Sequence, residues 1–452
     1  MGQEILSVFD RRRAGVLLHL SSLDAALGRG GRACIDWLAK AGFSVWQLLP
    51  VGPTGASGSP YWVRSDFAGN PAFIDMAERP SAESHEYTQF LEAARFWLDD
   101  YASFEVLSAR HDGAPWWQWP AKYRDREPAA LERLRSERAS DLSAFKIEQF
   151  VFAVQWQRLR SHARARGVRL LGDVPFYVAP DSAEVWTHRA QFQLDAAGLP
   201  RAVAGVPPDY FSELGQLWGN PLYDWGRMRR DGFEFWRARV RCQLERVDLL
   251  RIDHFRALSE HWAVPGGAVD ARGGVWRRTP GRALLQTLQN EFPELPLVAE
   301  DLGFITADVE ALRKRFRLPG MRVLQFGFDG DSSNLHLPHM HRRDSVVYTG
   351  THDNDTSIGW FASLNDETRR RVEFFLRADW GSMPEALMRA ALGSVGQLAI
   401  LPMQDLLGLG AAARLNTPGT THGNWSWRMS QHALTDELAQ RYAALNRLYA
   451  RA

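Results

Sequence analysis

Residues 247–255 read VDLLRIDHF. An apolar run leads straight into Arg251, Asp253 and His254, the pattern of a buried strand that delivers polar groups at its C-terminal end. Seven other stretches are similar: AGVLLHL (14–20), SVWQLLPV (44–51), VRLLGDVPFYV (168–178), PLVAEDLG (296–303), MRVLQFGF (321–328), SVVYTGTHDND (345–355) and LAILPMQDLL (398–407). They are apolar nearly throughout rather than alternating, as expected of parallel strands covered on both faces. Helical spacing lies between them: Ile147, Phe150, Val151 and Val154 before the third run, and Phe235, Trp236, Val240 and Leu244 before the fourth. Thr306 stands where it can cap a helix carrying Val309, Leu312 and Phe316, and Leu438, Tyr442, Leu445 and Leu448 share a face near the end. Eight strands alternating with helices predict an α/β fold, a (β/α)8 TIM barrel. Periodicity does not show closure, so an open doubly wound sheet fits the same pattern.

Such a barrel needs about 250 residues, and the chain has 452. The surplus is expected in two insertions on a single catalytic barrel spanning 1–452. One, at 76–145 after the second strand, is helical and rich in Trp, Glu and Arg. The other, at 179–232 after the third, is loop-rich and contains AVAGVPPDYFSELGQLWGNPLYDW. Loops of this length are usually functional or carry structure of their own.

Composition narrows the function. The chain has 54 Lys and Arg against 53 Asp and Glu, a net charge of +1, so no basic excess drives nucleic-acid binding. No uncharged apolar stretch of about 18 residues predicts a membrane span. The opening MGQEILSVFDRRR lacks the order of a secretory signal, and two cysteines, Cys34 and Cys242, form no disulfide framework. The expected location is the cytoplasm. Eighteen tryptophans are many, and flat apolar rings suit sugar faces as well as cores.

Barrel chemistry gathers at the C-terminal strand ends. Four runs carry acids there: Asp173, Asp253, the pair Glu300 and Asp301, and Asp353. Strand alternation places Arg251 and Asp253 on one face, but leaves open whether Glu300 or Asp301 faces the barrel axis. Carboxylates that converge in this way raise one another's pKa, a costly arrangement unless chemistry uses it. Paired carboxylates suit glycoside chemistry, which needs one ionised and one protonated acid. Arg251 would hold Asp253 ionised. Glu300, among carboxylates and apolar walls, would keep its proton near neutral pH. His352 beside Asp353 suits hydrogen bonding to sugar hydroxyls. A metal hydrolase would use the same acids with His254 and His352, but HxH and HExxH spacings are absent and Arg251 would compete with a cation. No phosphate-binding loop occurs. No metal and no cofactor are expected.

Longer segments carry a family resemblance. LLGDVPFYVAPDSAEVW, VAGVPPDYFSELGQLWGNPLYDW, LLRIDHFRA, LVAEDLGFITADVEALR, LPGMRVLQFGF, VVYTGTHDNDT and RLNTPGTTHGNWSWR, with LLPVGPTG and SDFAGNP near the start, resemble the amylomaltases, the disproportionating 4-α-glucanotransferases of the α-amylase clan. The likeness runs from about residue 14 to 430, in the family's order. It implies a retaining double displacement on α-1,4-glucans. Asp253 corresponds to the nucleophile, Glu300 to the acid/base and Asp353 to the carboxylate that binds the sugar ring and stabilises the transition state. Arg251 and His352 correspond to residues holding the reacting glucose. Asp301, Asn416 and Asp173 correspond to further contacts, Tyr61 to a ring beside the cleavage point, and Trp218 to an aromatic near the acceptor. Residues 205–213 resemble a lid over the glucan, with Tyr210 and Phe211 at its tip. The implied partners are maltooligosaccharides or α-1,4-glucan as donor and acceptor, with no nucleic acid and no membrane. An α-glucan hydrolase on the same fold, or a silent glucan-binding protein, is the alternative. The chain also departs from the family. TGASGSPYWVRS replaces the usual TGYGDSPYQS, so that Ala56, Gly58 and Trp62 stand for Tyr, Asp and Gln, and Ala257 stands where RIDHFRG has Gly.

Overall fold

The computed structural model describes residues 8–81, 84–208 and 212–452. Twelve strands occur among them: β1 Arg13–Leu17, β2 Val45–Gln47, β3 Arg169–Val174, β4 Ala202–Val206, β5 Gln216–Pro221, β6 Leu249–Ile252, β7 Glu260–Pro265, β8 Val275–Arg278, β9 Leu297–Ala299, β10 Gly320–Val323, β11 Ser345–Tyr348 and β12 Leu398–Pro402. Eight of them close a barrel in the order β1-β12-β11-β10-β9-β6-β3-β2. Every pairing in it is parallel, including the closing pair of β1 with β12. Each of the eight apolar runs of the sequence supplies one barrel strand, and the open-sheet alternative is set aside by closure.

Alternation sorts the side chains. Leu17, Val45, Leu171, Leu249, Val298, Met321, Val346 and Ile400 pack together inside the barrel. Their strand neighbours Val16, Trp46, Leu170, Leu250, Leu297 and Val347 join the larger core beneath the helices. Gly15 falls on the inner face, where a Cβ would meet Ile400 Cδ1 at 2.5 Å and the Val45 carbonyl oxygen at 2.8 Å. Only glycine fits that close approach of three strands.

Between β2 and β3 stand helices at His85–Ala93, Leu98–Arg110, Ala121–Arg124, Pro128–Glu137 and Ala139–Ala165. The last runs across the expected insertion edge at 145, because nothing in its 27 residues breaks a helix. It packs both on the insertion helices Leu98–Arg110 and Pro128–Glu137 and on β3 of the barrel. Two buried glutamines on it clip the chain after β2. Gln149 exchanges hydrogen bonds with the Gly69 backbone (2.7 and 2.9 Å), and Gln155 with that of Asp75 (2.9 and 2.7 Å).

Three local expectations change. The stretch 179–232 holds two strands, and β5-β4-β7-β8 form a separate antiparallel sheet. Its signal is weak in the sequence because β4 contains glycine and β8 is exposed along its whole length. Thr306 occupies the helix-cap position, but its side chain makes no cap bond. In the final helix, Asp436–Leu448, the buried face is Ala439, Tyr442, Ala443, Leu445 and Asn446, while Leu448 is exposed.

Candidate active site

The ends of β3, β6, β9 and β11 surround the mouth of the barrel, and backbone bonds tie the first three together. The Asp253 N–H donates to the Val174 carbonyl (3.0 Å), Glu300 N–H to Ile252 (3.1 Å) and Phe255 N–H to the Glu300 carbonyl (3.1 Å). A cleft of about 1030 Å³ opens there, lined by Tyr61, Trp62, Tyr177, Trp218, Asp253, His254, His352, Asp353, Asn416 and Trp425 among others.

Arg251 is buried and shares the inward face with Leu249. Its guanidinium donates to both oxygens of Asp173 (2.8 and 2.6 Å) and forms an ion pair with Asp253 at 2.9 Å. Burial pushes the Asp173 carboxyl up, with Arg251 pulling it back. Flanking carboxylates in turn hold the Arg251 charge firmly in place. Tyr61 donates its hydroxyl to Asp173 at 2.7 Å. Asp253 thus has one oxygen fixed by a charged partner, itself anchored from behind by Asp173.

Glu300 follows Val298 on the inner face, which settles the parity question left by the sequence. Its carboxyl accepts from the His254 N–H (2.7 Å) and the Leu302 N–H (2.9 Å). Removal from bulk water pushes it up to about 8, and Asp253 adds to this while Arg251 opposes it. His254 has φ of +48°, an uncommon conformation for a residue with a side chain, and this turns its N–H toward Glu300. Burial brings the His254 imidazole down to about 4, so it is neutral at physiological pH.

Asp353 is about half exposed to the cleft, and one oxygen accepts from Asn416 at 2.7 Å. His352 Nε2 lies 3.3 Å from the same oxygen. The His352 ring stacks on Tyr61 (5.0 Å between centroids) and sits 6.0 Å from Trp425. Trp218 meets His254 edge-on at 4.7 Å. A bulge in β5 aims it there: residues 218–220 stand opposite the single residue 204 of β4.

Asp301 is placed differently from the expectation of a sugar contact. It takes the outward parity, accepts from the Met321 N–H (2.6 Å) and pairs with Arg322 (3.3 Å) and Arg313 (3.4 Å). Gly320 makes room, since a Cβ there would meet an Asp301 oxygen at 2.3 Å. The sequence could not show this, because its partners lie on other elements. Tyr210 and Phe211 lie outside the described residues. Trp425 and Tyr177 line the cleft although the sequence did not single them out. The only signal for Trp425 was its place in HGNWSWR. Among the described residues no group of three or more His, Cys, Asp or Glu could hold a metal ion.

Comparison with known proteins places the chain in a family. A family model described as 4-alpha-glucanotransferase matches residues 18–82 and 76–435. A 4-alpha-glucanotransferase from Thermus thermophilus is 42% identical, with 96% of this chain and 98% of that protein covered. One from Synechocystis is 40% identical over 98% of this chain and 99% of its own. The solved amylomaltase from Streptococcus agalactiae in complex with acarbose superposes with a TM-score of 0.93 at 32% identity, covering 98% of this chain and 100% of that one. With its barrel closed, its acids gathered at the mouth and these likenesses running over nearly its full length, the chain belongs to the 4-alpha-glucanotransferase family.

Proposed function

We propose that the chain transfers α-1,4-glucan segments between maltooligosaccharides by two displacements at C1, with Asp253 as nucleophile and Glu300 as acid and then base. The observation that carries this division is the contrast between the two carboxyls. Asp253 is paired with a buried guanidinium at 2.9 Å, whereas Glu300 is pushed up to about 8 and enters the reaction protonated.

In the first half, an Asp253 oxygen forms a bond to the anomeric carbon. The bond from that carbon to the glycosidic oxygen breaks, and the oxygen takes the Glu300 proton. The shortened glucan leaves with a new 4-hydroxyl. In the second half, the acceptor's 4-hydroxyl gives its proton to Glu300 and bonds to the same carbon, releasing Asp253 as carboxylate. Two inversions restore the α linkage. The route requires the two carboxyl groups about 5–5.5 Å apart. Asp353, oriented by Asn416, is the group that holds the ring and faces the positive charge developing on it. His352 completes the ring's polar contacts, Arg251 holds Asp253 from behind, and Tyr61 and Trp425 supply aromatic surface beside the ring.

Water at about 55 M outnumbers any acceptor. Orientation of a bound acceptor is worth about 7–11 kcal/mol and offsets that excess. Aromatic surface around Trp218 is the part of the cleft suited to the task. A cytoplasmic location fits the two buried, unpaired cysteines. Among the described residues no helix is long and apolar enough to cross a membrane.

Incubation with maltotriose tests the function. Transfer yields glucose and a ladder of longer oligomers with little change in total reducing ends. Reducing ends that rise in step with maltotriose loss would assign a hydrolase instead.

A further inference from the structure

We propose that Trp62 is a stacking platform for a glucose unit on the acceptor side of the cleft and strengthens the binding of short acceptors. This rests on the function proposed above and concerns a residue that departs from the family pattern of the preceding segment.

Trp62 lies on the returning arm of a small loop pinned by an antiparallel bridge between Thr54 and Val63 and by the Gly55 N–H donating to the Trp62 carbonyl at 3.2 Å. The arm is rigidly held. Arg64 donates from its backbone to Pro53 (2.7 Å) and pairs with Glu105 of the helical insertion (2.9 Å), with its guanidinium 4.9 Å above Phe104. The indole is half-buried and lines the cleft. It is bracketed by two glycines: a Cβ on Gly55 would lie 3.6 Å from Trp62 Cδ1, and one on Gly219 would lie 3.9 Å from Cη2. Neither neighbour carries a side chain to cover the ring.

The contrast with Tyr61 is informative. Tyr61 is committed in part, its hydroxyl to Asp173 and one face of its ring to His352. Among the described residues Trp62 stacks on no other aromatic ring and its indole N–H donates to none of them. A large flat apolar surface is thereby left facing a cleft built for a pyranose chain. Its side of the cleft follows from the acid/base. Trp218 abuts His254, whose N–H holds the Glu300 carboxyl, and that carboxyl protonates the glycosidic oxygen. The departing and arriving glucans therefore lie on the Trp218 side. Gly219, the residue Trp62 reaches, is the next in the chain. Trp62 and Trp218 together offer two rings to the same incoming glucan, and a short acceptor gains most from an added platform.

The test separates the half-reactions in Trp62→Ala, Trp62→Gln and Trp62→Phe. With maltotriose as donor and glucose or maltose as acceptor, the Ala and Gln variants are expected to raise the acceptor KM by about fivefold to tenfold. The rate of glycosyl-enzyme formation from an activated maltosyl fluoride should stay within about twofold of wild type, and Trp62→Phe should recover most of the acceptor affinity. An acceptor KM that does not move, or a donor half-reaction that falls as much as the acceptor half-reaction, overturns the assignment. Calorimetric titration of maltose into the Asp253→Asn protein, with and without Trp62→Ala, reads the same platform without turnover. Unchanged binding there also overturns it. A wild-type enzyme that hydrolyses instead of transferring would defeat the proposed function, and the titration would still decide the role of Trp62.

Discussion

In the proposed route Glu300 carries a proton when the donor arrives and loses it as the linkage breaks. Its carboxyl sits at about 8, so kcat/KM for maltotriose should fall on the alkaline side above roughly that pH, as the acid ionises. A donor with a fluoride leaving group needs no proton, and its first step should lack that limb. Glu300→Gln should slow maltotriose turnover by about 10²–10⁴-fold and leave the fluoride-driven first step largely intact; stopped-flow release of fluoride measures this. Asp301, one residue along, obeys a different logic. It faces Arg313 and Arg322 rather than the cleft, so Asp301→Asn should show in thermal unfolding more than in kcat. A kcat loss as large as that of Glu300→Gln would contradict the placement. The adjacent acids are indistinguishable in the sequence, where both end an apolar run. The inward partner is decided by the parity of Val298, which only the closed barrel reveals.

Among the elements, the wall after β3 depends on a charge buried behind it. Arg239 of the helix Glu234–Arg246 donates to the carbonyls of Pro175 (2.7 Å) and Phe176 (3.2 Å) and pairs with Asp66 at 2.8 Å. Arg239→Met leaves Asp66 buried without its partner and should cost about 3–5 kcal/mol in chemical denaturation. Adding Asp66→Leu should recover much of it; a double variant as unstable as the single one would show that the ion pair is not what Arg239 contributes. Glu184 accepts from Ser65 (2.6 Å) beside this pair, and burial pushes it up to about 8. A raised carboxyl binds its proton more tightly in the folded state. Its stabilising effect is therefore complete below about pH 4.5 and is lost as pH rises toward 8. Glu184→Gln should flatten the decline of Tm between pH 5 and pH 8, and an unchanged slope would refute the assignment. In β1, Gly15→Ala forces a methyl against Ile400 and Val45 and should destabilise the barrel by about 1–3 kcal/mol. The barrel strands were readable because burial on both faces leaves continuous apolar runs. The small sheet was not, since β8 is wholly exposed and β4 pairs on its other side with β7, a segment distant in sequence.

For the molecule as a whole, the sequence identified the acids and the barrel that brings them together, because both follow from where polar residues end apolar strands. What holds them was hidden. The Arg251 bridge joins β3 to β6, the His254 N–H reaches Glu300 through a left-handed residue, and Asn416 arrives from beyond β12 to meet Asp353. Each is a contact across long sequence separation that no local pattern records. These contacts bear on the proposed division of labour between Asp253, paired with Arg251, and Glu300, whose carboxyl is pushed up by burial. The most direct test is to treat the Glu300→Gln protein with a maltosyl fluoride blocked at its terminal 4-hydroxyl, digest it, and locate the sugar by mass spectrometry. The account predicts one maltosyl unit on the peptide carrying Asp253; sugar on a different residue, or no covalent adduct while fluoride is still released, would contradict it.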